Sequence, residues 1–297
     1  MAVAWVFPGQ GSQKPGMAEA VLSLPGAEER FALASARLGR DLLAICSATA
    51  TGEGLQDLND TRNTQLALFV VESLLVDALH AQGRRPELVS GHSLGELVAL
   101  YAAGVFDIEQ GLALMHSRSE LMAAAGGGAM TAVIGFDPQQ LQELVAETEG
   151  VVIANDNSAA QVVLSGSPEA VAAVSGLLRC KRAIPLAVSG AFHSPFMAEA
   201  AARFAADLDL VPFRQATVPV LSNSDPIPER DPEVLKSRLK KQMTSGVRWR
   251  ETMERLQGEG IRTTVEIGPG KVLSGLIKRS CRGLETAQVG SAADLAL

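Results

Sequence analysis

The chain has 297 residues, 47% hydrophobic, 20% charged and only 4% aromatic, enough for one large α/β domain or one with a smaller insert, its core resting on Ala, Val and Leu. A net charge of −7 argues against a nucleic-acid binder, which would present a basic face, and leaves room for an acidic partner on a local basic patch. Cys46, Cys180 and Cys281 show neither metal nor redox spacing, no apolar run approaches the ~18 residues of a membrane span, and the amino terminus lacks a leader pattern, so the expected setting is the cytoplasm.

Residues 3–7 read as a short buried strand that closes on Pro8-Gly9-Gln10-Gly11-Ser12-Gln13. A glycine-rich turn at a strand's carboxyl end is where open α/β sheets place ligands. No Gly-Lys-Ser/Thr follows, which weakens a phosphate-loop reading; Gln10 instead offers an amide donor beside a glycine that permits close approach. Residues 27–46 are helical by pattern, and residues 62–82 form a long apolar helix that Gly83 stops.

Then comes Leu88-Val89-Ser90-Gly91-His92-Ser93-Leu94-Gly95-Glu96, a strand end, a tight turn and a helix start. Gly91-x-Ser93-x-Gly95 is the nucleophile-elbow pattern, in which a serine is lifted above the sheet on strained backbone whose neighbours must lack Cβ atoms. The bare pattern arises often by chance in a chain with 28 glycines; the preceding apolar run and the helix-forming run 96–103 supply the required context. The Leu94 N–H, at the helix start, is a candidate oxyanion donor.

Residues 107–124 form another helix, and Gly126-Gly127-Gly128 breaks it. Strands at 129–135, 151–155, 161–165 and 182–188 alternate with helices at 138–147 and 168–179. That β-α-β-β-α-β order is the ferredoxin-like arrangement, so the segment reads as a small domain inserted into a larger one. Beyond it are a helix near 195–208, a strand at 217–222, helices near 231–242 and 248–259, a strand at 263–267, Gly268-Pro269-Gly270 and a last helix; residues after about 283 read as a loose tail.

A nucleophilic serine needs a base, and the chain has four histidines. His80 lies on a helix before the elbow and His116 on one after it. His92 adjoins Ser93, so the turn sends its ring another way. His193, between a strand and a helix in Ser189-Gly190-Ala191-Phe192-His193-Ser194-Pro195, is left as the candidate base. As the base it is expected to make the rate follow a group near neutrality. The group that orients it stays open: Asp107, Asp137, Asp156 and Glu169 fall mostly at helix starts or in the insert, where capping is the simpler role, and a carbonyl serves equally well. Arg118 is by default a solvated charge or a partner of Glu120 or Glu96, yet its helix follows the elbow helix, and a guanidinium there suits a substrate carboxylate.

Taken together, Phe7-Pro8-Gly9-Gln10-Gly11-Ser12-Gln13, Gly91-His92-Ser93-Leu94-Gly95-Glu96, Ser117-Arg118, Phe192-His193-Ser194 and Glu266-Ile267-Gly268-Pro269-Gly270-Lys271 resemble the malonyl-CoA:acyl-carrier-protein transacylase family along nearly the whole chain. The resemblance implies an α/β-hydrolase-like catalytic domain, residues 1–127 and 194–297, with a ferredoxin-like insert at 128–193. It implies ping-pong transfer of malonyl from malonyl-CoA through Ser93 to the phosphopantetheine thiol of an acyl carrier protein, with no bound cofactor or metal, no nucleic-acid or membrane partner, and a monomer as the working unit. His193 is then the base, Gln242 the residue whose main-chain carbonyl orients it, Gln10 and the Leu94 amide the oxyanion hole, and Arg118 the malonate clamp. Phe192 and His92 line the substrate site, with Phe192 and Leu94 crowding the α-carbon against a methyl branch by ~1–3 kcal/mol. Asn155, Asn157 and Gln65 fall on recurring polar positions without an assigned role. The alternatives are a serine hydrolase or thioesterase using water as acceptor, a malonate decarboxylase transacylase subunit, or a stand-alone polyketide acyltransferase.

Overall fold

In the computed structural model, which describes residues 2–47, 57–188 and 190–296, the fold is mixed α/β with two sheets. Ser189 of the His193 motif lies outside the described residues. The larger sheet runs in the order β7-β2-β1-β8-β9, all neighbours parallel, from β1 (Val3–Phe7), β2 (Leu88–Gly91), β7 (Val220–Leu221), β8 (Thr263–Ile267) and β9 (Glu285–Val289). Apolar runs without alternation suit strands covered on both faces, and Ala4, Val6, Trp5 and Phe7 are indeed buried in two different core clusters. Because the strands are parallel and in register, Phe7 opposite Gly91, their carboxyl ends share one edge. The loops carrying Gln10, Ser93, Asn223 and Gly268 leave from that edge.

Helix α3 (Thr61–Ala81) is buried along almost its whole length. By length and composition it would cross a membrane, contrary to the expectation that no run qualifies, but 78% of its apolar window is buried inside the molecule. It is the central core helix of the larger body, and an all-round apolar helix of this kind is satisfied by protein as readily as by lipid.

The turn between β2 and α4 (Gly95–Ala102) packs onto β1 so closely that both motif glycines are steric necessities. A Cβ on Gly91 would lie 1.9 Å from the Gly95 carbonyl oxygen, and one on Gly95 would lie 2.2 Å from the Phe7 carbonyl oxygen. The next helix, α5 (Ile108–Ala124), begins with a capping box in which Asp107 accepts from the Gln110 N–H and the Gln110 side chain accepts from the Asp107 N–H.

The second sheet contains β3 (Ala129–Phe136), β4 (Val151–Ser158), β5 (Gln161–Gly166) and β6 (Cys180–Pro185) in the antiparallel order β4-β5-β3-β6. Helices α6 (Pro138–Glu147) and α7 (Pro168–Leu177) contribute Leu141, Val171 and Val174 to its separate core. It is tied to the larger body where Val247 pairs with β4, donating to the Ala154 carbonyl and accepting from the Asp156 N–H. The remaining helices are α8 (Ala198–Leu210), α9 (Pro232–Gln242), α10 (Trp249–Gly258) and α11 (Val272–Ser280).

Three expectations change. The helix over 27–46 is two, α1 (Ala27–Leu38) and α2 (Leu42–Ile45), because Gly39 takes a left-handed φ of 70° that ends the first. The strand over 217–222 shortens to Val220–Leu221, beside a Pro219 that has no N–H to pair. The loose tail after 283 is instead edge strand β9, hydrogen-bonded to β8 from Thr263–Glu285 to Ile267–Val289. Its alternation of exposed and half-buried residues, weak in hydrophobicity, hid it from periodicity.

Candidate active site

Ser93 and His193 are the two non-glycine residues with positive φ among the described residues, at 54° and 57°. Left-handed backbone is costly for a residue with a Cβ and persists where the surroundings fix it. For Ser93 the surroundings are a buried bracket. Its N–H donates to Asn223 Oδ1 at 2.7 Å, Asn223 Nδ2 donates to the Gly91 carbonyl at 2.6 Å, and Gln242 Nε2 donates to the Ser93 carbonyl at 2.9 Å.

The serine hydroxyl and the His193 ring, 100 residues apart in sequence, meet at 2.8 Å between Oγ and Nε2. On the far side of the ring, Nδ1 is 2.9 Å from the main-chain carbonyl of Gln242. A carbonyl only accepts, so Nδ1 carries the proton and Nε2 is left to accept from Ser93. Burial, reinforced by the charge of Arg118, pushes the His193 imidazole down to about 3. It is therefore neutral at pH 7, and the expected dependence on a group near neutrality gives way to one far more acidic. Among the described residues no acidic side chain orients the ring: Asp107, Asp137 and Glu169 are at helix starts, the first two capping, and Asp156 pairs with Arg250.

Arg118 is fully buried on α5. It donates from Nη2 to Ser93 Oγ at 3.1 Å and to Gln242 Oε1 at 2.9 Å, and from Nη1 to Gln65 Oε1 at 2.5 Å. Neither sequence-based partner holds it: Glu120 pairs with Arg62, and Glu96 accepts instead from Gln242 Nε2 at 2.7 Å and the Asn223 N–H at 3.0 Å. Burial lowers the guanidinium to about 10, with Glu96 opposing, so the charge stays on at pH 7. Burial also raises the Glu96 carboxyl, opposed by the Asn223 and Gln242 donors.

A cavity of about 330 Å³ opens over these groups. Ser93, His193, Arg118, Phe192, His92, Gln10, Leu94, Gln65 and Asn155 all line it. Gln10 Nε2 reaches Thr61 Oγ1 at 3.4 Å, a long bond that leaves its amide easily redirected. His92 turns away from Ser93 as expected, to Asn157 Oδ1 at 2.8 Å and toward the Trp249 ring; burial lowers its pKa, with Asn157 opposing. His80 is elsewhere, stacked on Trp5 with ring centroids 5.2 Å apart.

Sequence reasoning missed Asn223, and offered Glu96 only as a partner of Arg118 rather than as the acceptor for Gln242 and the Asn223 N–H. Both carried a usable signal, since Asn223 is the second residue beyond a short strand and Glu96 ends the elbow motif. No group of three or more His, Cys, Asp or Glu side chains that would hold a metal occurs among the described residues.

A hydroxyl–imidazole pair at the carboxyl edge of a parallel sheet, the hydroxyl half-buried and the imidazole buried, defines the class, a nucleophile site for acyl chemistry. The sequence model of the acyl transferase domain family matches residues 4–295. Malonyl CoA-acyl carrier protein transacylase of Synechocystis is 48% identical over 295 residues, covering 99% of both chains, and that of Escherichia coli K12 is 40% identical over 287 residues, covering 93% of this chain and 92% of the other. The crystal structure of the Synechocystis transacylase superposes with a TM-score of 0.95 over 100% of this chain and 99% of the other. A type II polyketide acyl carrier protein bound to its malonyl-transacylase gives 0.91 for a chain 38% identical, with 100% and 98% covered. The chain belongs to the malonyl-CoA:acyl-carrier-protein transacylase family.

Proposed function

We propose that the protein transfers a malonyl group from CoA to the phosphopantetheine thiol of an acyl carrier protein through a malonyl ester on Ser93. The observation that carries this reading is a buried guanidinium, with no carboxylate within 4.0 Å among the described residues, 3.1 Å from the nucleophile candidate. A charge held there at the expense of desolvation is matched by a substrate whose acyl group ends in a carboxylate.

In the first half-reaction Ser93 Oγ attacks the thioester carbonyl carbon while its proton moves to His193 Nε2. The tetrahedral oxyanion is held by the Leu94 N–H and Gln10 Nε2; its collapse breaks the C–S bond, and the proton on His193 goes to the departing CoA thiolate. In the second, the pantetheine thiol gives its proton to His193, its sulfur attacks the ester, and Ser93 Oγ leaves and is reprotonated. The Gln242 carbonyl keeps Nδ1 protonated throughout, so Nε2 is always the shuttling atom. Phe192 and His92 shape the space beside the acyl chain, and Asn157 fixes His92.

The strand order of the small sheet supports a ferredoxin-like insert at 128–193 within an α/β-hydrolase-like domain of 1–127 and 194–297. Three unpaired cysteines suit the reducing cytoplasm.

Intact-mass analysis after mixing with malonyl-CoA tests the reading. One malonyl group should be gained by the wild type and none by Ser93→Ala, and the group should move to the thiol of an added phosphopantetheinylated carrier protein. Loss of the group to water at the same rate without carrier would overturn it in favour of a hydrolase.

A further inference from the structure

Arg118 is surrounded by acceptors that carry no charge. Nη1 meets the Gln65 amide oxygen, Nη2 meets the Gln242 amide oxygen and the Ser93 hydroxyl, and no carboxylate among the described residues lies within 4.0 Å of the guanidinium. The exception nearest in the network is Glu96, and the Gln242 side chain stands between them. Its Oε1 faces Arg118 and its Nε2 faces Glu96 Oε2 at 2.7 Å, so cation and anion are bridged by one amide dipole aligned with both. Gln65 is fixed in the same sense, with its oxygen toward Arg118 and its Nε2 3.4 Å from Met122 sulfur. Both glutamines are almost completely buried, so neither amide is a solvated bystander.

We propose that the side-chain amides of Gln65 and Gln242 are specificity-determining positioning groups: a neutral cradle that orients Arg118 while leaving its charge uncompensated for the acyl carboxylate. The physical ground is competition. A buried guanidinium close to a protein carboxylate forms a strong bidentate pair, and a substrate carboxylate would then have to displace it or bind a site of no net charge. Amide oxygens satisfy the same N–H donors and cancel nothing. The proposal rests on the malonyl-transfer reading and adds to it the way the chain keeps its own Glu96 from occupying the clamp.

The test is the ratio of malonyl to acetyl loading on Ser93, from single-turnover rates with malonyl-CoA and acetyl-CoA, in Gln65→Glu and Gln65→Met. Glutamate is the closer isostere and keeps the acceptor, so a purely structural role makes Gln65→Glu the milder change. The neutral cradle predicts the reverse: Gln65→Glu lowers the malonyl:acetyl ratio at least about tenfold, mostly through KM for malonyl-CoA, whereas Gln65→Met lowers it less. Should Gln65→Glu not fold, Gln242→Glu makes the trial from Nη2; it retains the main-chain carbonyl that holds His193 but loses the Nε2 donations to the Ser93 carbonyl and Glu96, so both loading rates fall and the malonyl:acetyl ratio alone is the readout. A folded glutamate variant with an unchanged ratio overturns the proposal. Wild-type protein that takes no malonyl group at all overturns the underlying reading instead, so the two failures are distinct.

Discussion

Arg118 Nη2 and Ser93 Oγ are 3.1 Å apart, which puts a positive charge in hydrogen-bond contact with the hydroxyl proposed as the nucleophile. Burial and, after it, the same charge depress the His193 imidazole, so selectivity and basicity are linked in part through one side chain. Arg118→Ala is expected to lower malonyl loading at least about 100-fold, equivalent to about 2.7 kcal/mol, through loss of charge-assisted hydrogen bonds. Acetyl loading should hold or rise. Loading rates with the two CoA thioesters check this, and unchanged malonyl kinetics would remove the clamp.

His193→Ala should slow loading by about 10²–10⁴-fold, the usual worth of a positioned base. In the wild type the base is unprotonated above about 3, so malonyl kcat/KM should stay nearly flat as pH falls from 7 toward 4. Stability follows the same group with a defined sign. Between its folded value and the ordinary histidine value of 6.5 the unfolded chain binds a proton the folded one does not, so this contribution is lost as pH falls through that window. An acid limb with its midpoint near 6.5 in the rate profile would contradict the burial of the ring.

Asn223→Ala removes the acceptor for the Ser93 N–H and the donor to the Gly91 carbonyl, each exposed to a penalty of about 1–3 kcal/mol when left buried and unpaired. Because Asn223 does not touch Arg118, kcat should fall about 10–100-fold while KM for malonyl-CoA changes little. Asn223→Asp keeps the acceptor but loses the donor, and should not restore the rate. A rise confined to KM would show that Asn223 is not bracing the elbow.

Gly95→Ala places a methyl 2.2 Å from the Phe7 carbonyl oxygen, where only backbone movement relieves the clash. A cost of about 3 kcal/mol or more is expected, seen as a lower Tm and poor soluble yield. A wild-type Tm would mean that the elbow does not pack on β1 as described.

Glu72, on the core helix α3, is fully buried with neither carboxyl oxygen paired among the described residues. Burial, aided by the Glu266 charge, holds its carboxyl well above the ordinary value of 4.5. Above pH 4.5 the folded chain therefore keeps a proton that the unfolded chain releases, and stability is lost as pH rises toward the folded value, at up to about 1.4 kcal/mol per pH unit. Glu72→Gln abolishes that dependence. Denaturant midpoints of the two proteins between pH 5 and 8 should diverge in favour of the variant, and parallel curves would count against a neutral Glu72.

The sequence by itself determined the local events: the β1 strand and its Gln10 turn, the Gly91-x-Ser93-x-Gly95 elbow and the β-α-β-β-α-β segment; His193 came out as the candidate base by elimination among four histidines. The local events follow from contacts between residues near in the chain, where spacing, glycine placement and periodicity are the physics itself. Strand β9 was lost because an edge strand of mixed polarity draws its order from pairing with β8 rather than from its own pattern. The residues read one by one left the group that orients the imidazole open, because a main-chain carbonyl has no residue-type signature; the family resemblance pointed to that of Gln242, and the fold brings it to 2.9 Å from Nδ1, while only the tertiary structure decided that Arg118 is bounded by amides with Glu96 held one residue away. It also decided the pKa of His193, since burial and a neighbouring charge belong to the packed fold and to no stretch of sequence.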